Sequence, residues 1–487
     1  MPKKELTTLI AVYPKTLLQK IFLGVPVGLL YAVSLAYNKG YKVKIIDQRI
    51  DKFWKESLKK AIKDAHQPRI LITTMTGLQI KFALEIARFV KKTNKRITII
   101  FGGIHPSVLP YETLKNKNID FVVIGDGEET LVELTETLDV DGDLSKVKGI
   151  GYKKDNEIII NERRNPFDLN KTLKVPYELI DVNQYTGAIE EKDEFPVVTG
   201  RGCVYNCAFC TNTAFKKNNF RKVPLNIIIE NIKKGLEFKM KISILDDLFF
   251  YDEKEIIKFC DEVEKEGIKT EFFANSRMDF IAKSEIQTLK KIKKTGFKRI
   301  YVGIESGSQR ILDSVGKGIT INQILQGNRK LKKAKIKPSY SFMVGFPTET
   351  FDDVKKTISL MIRLKDENPQ ATILGLKILS LYPGTTLFEE LKKTGYEVPK
   401  KLEDWIYFDY MEPHNPWLTG KDKKKLQRIC LITYFLNEGI QKHLKNRFVK
   451  FLVEKYRFVA DFRCRHHIYY FAPEIALFKQ IKSMQKE

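Results

Sequence analysis

The chain has 487 residues, of which 43% are apolar, 30% charged and 11% aromatic. That composition can bury a real core, which excludes wholesale disorder, and the length points to two or three domains. Its 85 Lys and Arg against 60 Asp and Glu give a formal charge of +25, which favours an anionic partner or simply reflects a lysine-rich composition.

In chain order, Leu9–Val12, Lys42–Ile46, Ile70–Thr73, Ile97–Ile100 and Phe121–Ile124 read as strands. Between them Gly28–Asn38, Lys52–Ala65, Gln79–Lys92 and Glu128–Leu138 have the periodicity of helices with one apolar stripe. This alternation predicts a doubly wound parallel sheet over residues 1–145. Ile21–Tyr37 is uncharged, but it is short for a bilayer span and is broken by Gly24, Pro26 and Gly28; it reads as a buried loop feeding a core helix. No small-residue cleavage site follows the lysines at Met1–Thr8, so the expected compartment is the cytoplasm.

Residues 146–195 read as a connector with a small hairpin, since Gly149–Tyr152 leads to Ile158–Ile160 and Pro166 and Pro176 break any helix. Alternation resumes over 196–400, with strands at Val197–Thr199, Ile242–Leu245, Glu271–Ala274, Ile300–Ile304, Tyr340–Val344 and Thr372–Leu379. Six such units predict a partial parallel barrel of the (β/α)6 type, with its site at the strands' carboxyl ends. Residues 401–487 read as a helical, basic segment: 418–487 holds 16 Lys and Arg against 6 Asp and Glu. The fold class expected is therefore α/β, in two parallel layers followed by helices.

The most informative stretch is Arg201-Gly202-Cys203-Val204-Tyr205-Asn206-Cys207-Ala208-Phe209-Cys210, with C-x3-C-x2-C spacing directly after a predicted strand. Three thiolates this close can hold three irons of a cubane and leave the fourth open to a chelator. Structural zinc would need a fourth ligand, and no Cys or His lies in the next forty residues. Cys260, Cys430 and Cys464 fall in helical apolar patterns and read as buried structural thiols.

This stretch, including Phe209 before the last cysteine, resembles the signature of radical S-adenosylmethionine (SAM) enzymes. The N-terminal third resembles the cobalamin-binding domain of their cobalamin-dependent members, such as the anaerobic magnesium-protoporphyrin cyclases and the hopanoid and amino-acid methylases. The resemblance covers nearly the whole chain. It implies a 4Fe–4S cluster on Cys203, Cys207 and Cys210, SAM chelated at the open iron, and a 5′-deoxyadenosyl radical that takes hydrogen from carbon.

The strand-end motifs continue the resemblance: Ile244-Leu245-Asp246-Asp247, Ala274-Asn275-Ser276-Arg277, Val302-Gly303-Ile304-Glu305-Ser306-Gly307, Met343-Val344-Gly345-Phe346-Pro347-Thr348-Glu349-Thr350 and Leu381-Tyr382-Pro383-Gly384-Thr385. It assigns Phe209, Asp246, Arg277, Glu305, Ser306, Gly345 and Glu349 to SAM. Each motif alone could also be a helix cap or turn.

Cobalamin is implied at the glycine-rich ends of the first sheet, by Thr76, Gly102, Gly103, His105, Gly125, Gly127 and Glu128. The D-x-H-x-x-G motif that supplies a cobalt-binding histidine is absent. Its nearest match, Asp47-Gln48-Arg49-Ile50-Asp51-Lys52, has neither the histidine nor the glycine, and Arg201 and His105 are the other candidate neighbours of cobalt. No residue is assigned to the chemical step itself.

The resemblance implies an enzyme that methylates an unactivated carbon by way of methylcobalamin. A non-methylating cyclase or oxidase on the same scaffold is the alternative. An RNA methylthiotransferase would carry three more cysteines before the triplet, and none precedes Cys203. The partners expected are a small-molecule or lipid-like substrate, a flavodoxin- or ferredoxin-type electron donor, and peripheral contact with an anionic membrane through the basic, aromatic C-terminal segment. Nucleic acid is not expected.

Overall fold

The structure is a computed structural model that describes residues 6–16, 23–171, 174–185, 194–215, 220–238, 240–408, 413, 415–437, 447–470 and 475. The chain packs as two compact units, Met1–Met240 with Leu381–His414, and Lys241–Ser380 with Asn415–Glu487.

The first unit holds a seven-stranded sheet made of β1 (Thr8–Tyr13), β2 (Lys42–Asp47), β3 (Arg69–Thr73), β4 (Thr98–Gly102), β5 (Phe121–Val123), β6 (Ile150–Lys154) and β7 (Glu157–Ile160). Their order is β2-β1-β3-β4-β5-β6-β7, with β1–β5 parallel and β6 and β7 antiparallel. The central strands are near-continuous apolar runs, as a sheet covered on both faces requires: Leu9, Ile10, Ala11 and Val12 are fully buried. The hairpin expected as part of a connector instead pairs with β5 and extends the sheet.

Helix Val27–Asn38 buries Leu29, Leu30, Tyr31 and Val33, so the described part of the uncharged stretch does become a core helix. The remaining strands of this unit are β8 (Glu194–Val197), β9 (Gly200–Arg201) and β10 (Arg221–Lys222), the last two antiparallel. Val197–Thr199 was the expected strand; the observed one starts earlier because Glu194 and Pro196 are both buried within it. Proline is read as a breaker, yet a strand tolerates it where the ladder does not use its nitrogen.

The second unit carries β11 (Lys241–Ile244), β12 (Phe272–Ser276), β13 (Phe297–Glu305), β14 (Lys337–Val344) and β15 (Thr372–Ile378), parallel and adjacent in that order. Together with β8 these are the six strands expected of the barrel. A helix follows each strand, and the chemistry of its cap fixes where it starts. Thr320 and Gln323 form a capping box before Ile321–Ala334, and Thr350 and Asp353 form another before Phe351–Glu367. Phe249, Phe259, Phe272 and Phe297 pack together with ring centroids between 5.1 and 6.1 Å in the pairs that touch. Each such burial contributes about 1.5–3 kcal/mol. The C-terminal helices Gly420–Tyr434 and Arg447–Arg465 complete this unit.

Candidate functional site

The carboxyl edge of the first sheet is built from the turns after β3, β4 and β5. Gly103 has φ +98°, and a β-carbon there would sit 2.7 Å from the Thr74 carbonyl oxygen and 2.8 Å from Thr73 Oγ1. Only glycine fits that turn. Gly102 and Gly125 instead open onto space with nothing within 4 Å of an added β-carbon. Ser107 ties the two loops together, its hydroxyl donating to the Gly103 carbonyl at 2.7 Å and accepting from the Gly125 amide at 3.0 Å. A β-carbon at Gly127 would make only ordinary contacts, so that glycine is not demanded by space.

His105 is fully buried in the short helix Ile104–Val108. Its Nδ1 shares a hydrogen bond with Thr76 Oγ1 at 2.9 Å. Burial lowers its pKa from 6.5 to about 3, so the ring is neutral. Thr76 also lines a cavity of about 120 Å³ with Met75, Ile104, Val108 and Ala214.

Glu128 faces elsewhere. Its carboxylate is 2.5 Å from Arg201 Nη2, while Arg201 Nη1 lies 3.1 Å from Asp126 and Arg221 lies 2.8 Å from the same Asp126. These are two cations and two anions, all largely buried, with the Arg201 guanidinium 5.0 Å from the Tyr31 ring centroid. Burial disfavours the charged Arg201, but Glu128 and Asp126 outweigh it and raise its pKa. The structure thus joins two residues that the sequence placed separately near cobalt, and it adds Asp126 and Arg221, which sequence reasoning missed.

Two residues after Arg201 the cysteine loop begins, with Gly202 turning the chain at φ +89°. Cys207 is buried, Cys203, Phe209 and Cys210 are half-buried, and none of the six cysteines is in a disulfide. The Cys210 amide donates to the Cys207 carbonyl at 2.9 Å, and Thr213 Oγ1 donates to the Cys210 carbonyl at 2.7 Å. Among the described residues no three Cys, His, Asp or Glu side chains converge on one point. The donor set nevertheless fits a cluster by its chemistry, because the metal draws thiolates together as it binds.

In the second unit the SAM candidates sit at successive strand ends. Asp246, after β11, is buried and its carbonyl accepts from Asn275 Nδ2 at 3.1 Å. Arg277 follows β12, pairs with Asp279 at 3.1 Å and donates to the Lys317 carbonyl. Glu305 ends β13 in the left-handed region at φ +72°, its carboxylate 2.9 Å from Lys317 Nζ. Lys317 therefore links Arg277 to Glu305. Sequence reasoning missed it, although Gly316 and Gly318, both at positive φ, flank it and mark a tight turn. Ser306 is fully buried; its hydroxyl bonds Thr357 Oγ1 at 3.2 Å and accepts from the Ser308 amide.

After β14, Glu349 Oε2 accepts from the amides of Gly345 and Phe346. Trp417 Nε1 donates to the Gly345 carbonyl at 2.9 Å. Burial pushes the Glu349 carboxyl up to about 7, against the two amides that favour its ionised form. Cys260 is pushed up to about 11, and Cys430 and Cys464 to about 12, by burial. Burial thus holds all three in the neutral thiol form, as structural thiols require.

Family models match this arrangement in two places: the radical SAM superfamily over residues 197–361, and the B12 binding domain over residues 22–135. The chain thus carries a B12 binding domain followed by a radical SAM domain. Its cofactors are a 4Fe–4S cluster, SAM and cobalamin, and the open space at Gly102 and Gly125 is a cradle that fits the last of these.

An uncharacterised methyltransferase of Pyrococcus horikoshii is similar to this radical enzyme, 29% identical over 455 residues and 91% of each chain. The bacteriochlorophyllide d C-12(1)-methyltransferase of Chlorobaculum tepidum is 24% identical over 89% of each chain. Among solved structures, the cobalamin-dependent SAM radical enzyme OxsB with aqua-cobalamin and SAM bound shares the fold, with a TM-score of 0.79 and 18% identity, over 99% of this chain and 76% of that one.

Proposed function

We propose that this enzyme methylates an unactivated carbon of a small or lipid-like substrate. The observation that carries the reading is the ion network of Arg201 with Glu128 and Asp126. It ties Arg201, two residues before the first cysteine, to the sheet edge that carries the open glycine turns, which supports a radical source and a corrinoid working together. When bound, the cluster delivers the electron that splits SAM, and cobalamin carries the methyl group.

The residues divide the work as follows. Cys203, Cys207 and Cys210 hold three irons, and Phe209, between the last two, contributes to the SAM site. Asp246, Arg277, Glu305, Ser306, Gly345 and Glu349 hold SAM, with Lys317 fixing the Glu305 carboxylate and Glu349 fixing the amides of the β14 turn. Thr76, Gly102, Gly103, His105, Gly125, Gly127 and Glu128 form or brace the corrinoid edge, His105 and Glu128 through Thr76 and Arg201 rather than by touching the corrin.

The division of labour along the chain is 1–145 for cobalamin, 146–195 as a connector whose hairpin extends the first sheet, 196–400 for the radical chemistry and 401–487 as a basic helical segment. A flavodoxin- or ferredoxin-type protein supplies electrons in the cytoplasm, and the basic segment touches an anionic membrane. Relatives named as a bacteriochlorophyllide methyltransferase and a hopanoid methylase support the choice of a small or lipid-like substrate.

The test is anaerobic incubation of the reconstituted enzyme with methyl-labelled SAM and cell extract. Label should enter an extractable small molecule, with S-adenosylhomocysteine and 5′-deoxyadenosine in comparable amounts. Deoxyadenosine without S-adenosylhomocysteine would overturn methylation in favour of ring formation or oxidation.

A further inference from the structure

Helix Arg447–Arg465 has a fixed inner face. Val453, Tyr456, Ala460 and Cys464 are buried, helices Phe351–Glu367 and Gly420–Tyr434 pack against it, and Arg465 pairs with Asp366 at 2.7 Å. An ordinary surface helix held this way turns a polar face to water. This one instead exposes Phe451, Phe458, Val459 and Phe462, at 51%, 66%, 46% and 56%. Their spacing of seven, one and three residues lays them along one stripe, and Tyr470, 80% exposed, follows the helix.

Cations accompany the stripe. Arg447, Lys450 and Lys455 are exposed and Arg457 is half-exposed. The Lys455 ammonium lies 5.5 Å from the Phe451 ring centroid, and the Arg457 guanidinium lies 5.6 Å from that of Phe458. Of the two acids on the helix, Asp461 is already paired with Arg465 at 2.7 Å. No helix among the described residues is long and apolar enough to cross a membrane.

We propose that this face seats the protein on an anionic lipid bilayer, with the rings of Phe451, Phe458 and Phe462 at the headgroup–acyl boundary and the flanking Lys and Arg among the headgroups. Charge complementarity selects the partner. A stripe of exposed rings with Lys455 set into it and further cations along its flank matches a sheet of negative headgroups over an apolar interior. Nucleic acid would be followed by a row of cations along its phosphates, and between Phe451 and Phe462 this face carries one lysine, Lys455, among four apolar side chains. The proposal deepens the lipid-like substrate reading, on which it rests for its purpose: a substrate that lives in a membrane is reached from its surface.

The experiment is co-sedimentation of the full chain with vesicles of phosphatidylglycerol and phosphatidylcholine, and with vesicles of phosphatidylcholine alone. Binding is expected to the first and to be at least tenfold weaker to the second. The pair F458S and F462S should weaken binding to anionic vesicles tenfold or more. Lys450→Gln, Lys455→Gln and Arg457→Gln should each weaken it about fivefold. Melting temperatures are measured alongside, and if the phenylalanine pair lowers them, the charge variants decide.

No sedimentation with anionic vesicles, or equal sedimentation with both kinds, overturns the proposal. So does a dimer that the phenylalanine pair converts to monomer, or an RNA oligonucleotide bound through the same residues in place of vesicles. The Cys207→Ala chain should sediment like the wild type, so failed methylation and failed seating are separately readable.

Discussion

The His105 ring packs edge-on against Trp405, with centroids 5.7 Å apart and planes at 64°. Trp405 is itself 1% exposed, and the histidine nearest the glycine turns is fully buried, its Nδ1 bonded to Thr76 and its Nε2 buried without a hydrogen-bond partner. A ligand to cobalt must present a nitrogen at the surface of the cofactor edge, and this one presents none.

Protein purified from cobalamin-fed cells should therefore give a cob(II)alamin paramagnetic resonance spectrum without strong coupling to a histidine nitrogen. His105→Phe should leave that spectrum unchanged. A nitrogen splitting that disappears in His105→Phe would show that the ring leaves Trp405 to bind the metal.

Arg201 is the stability-critical member of its network. Arg201→Met strands Glu128 and takes one partner from Asp126, which keeps Arg221 and the Phe167 amide, and removing one partner of a buried pair costs about 3–5 kcal/mol. Adding Glu128→Met should recover part of that loss, since two apolar side chains strand no charge. Urea unfolding of the three proteins checks both statements, and equal stability of Arg201→Met and wild type would contradict them.

The pH dependence follows from Glu349, whose carboxyl is raised from 4.5 to about 7 by burial. The folded chain keeps a proton there that the unfolded chain releases. The stability this gives is fully present below about pH 4.5 and is lost as pH rises to about 7, by on the order of 3 kcal/mol. Glu349→Gln keeps an acceptor for the Gly345 and Phe346 amides and carries no charge. Its melting temperature should vary less than that of the wild type across this window; parallel curves would contradict the assignment.

Cysteine substitutions separate the cluster loop from the structural thiols. Cys203→Ala, Cys207→Ala or Cys210→Ala should each abolish 5′-deoxyadenosine formation and lower bound iron, whereas Cys430→Ala should do neither. Full activity in Cys207→Ala would refute the cluster assignment.

The chemistry was most legible where it is local in sequence. Three cysteines within eight residues declare a site whatever the rest of the chain does, and β-branched runs such as Thr8–Tyr13 declare buried strands. Relationships across sequence were not legible. Glu128 and Arg201 are 73 positions apart, and a carboxylate after a glycine turn looks the same whether it faces a corrin or an arginine. His105 stands in a glycine-rich stretch that reads as a cofactor loop, and only the arrival of Trp405 makes it interior. Lys317 looked like one lysine among many, because nothing in a one-dimensional reading says that Glu305 turns back toward it.

The first unit is built from two stretches of chain with 140 intervening residues, since Leu381–His414 returns to join Met1–Met240. Gly384 marks how tight the return is: a β-carbon there would meet Val108 Cγ1 at 2.6 Å and Ala214 Cβ at 2.8 Å. On the ribosome, at about 5–20 residues per second, the wait between residues 240 and 414 lasts roughly 9–35 s. During that interval the nascent first unit must hold His105 without the Trp405 ring that packs on it, and its cysteine loop without the Leu387 amide that donates to the Ala208 carbonyl at 2.9 Å.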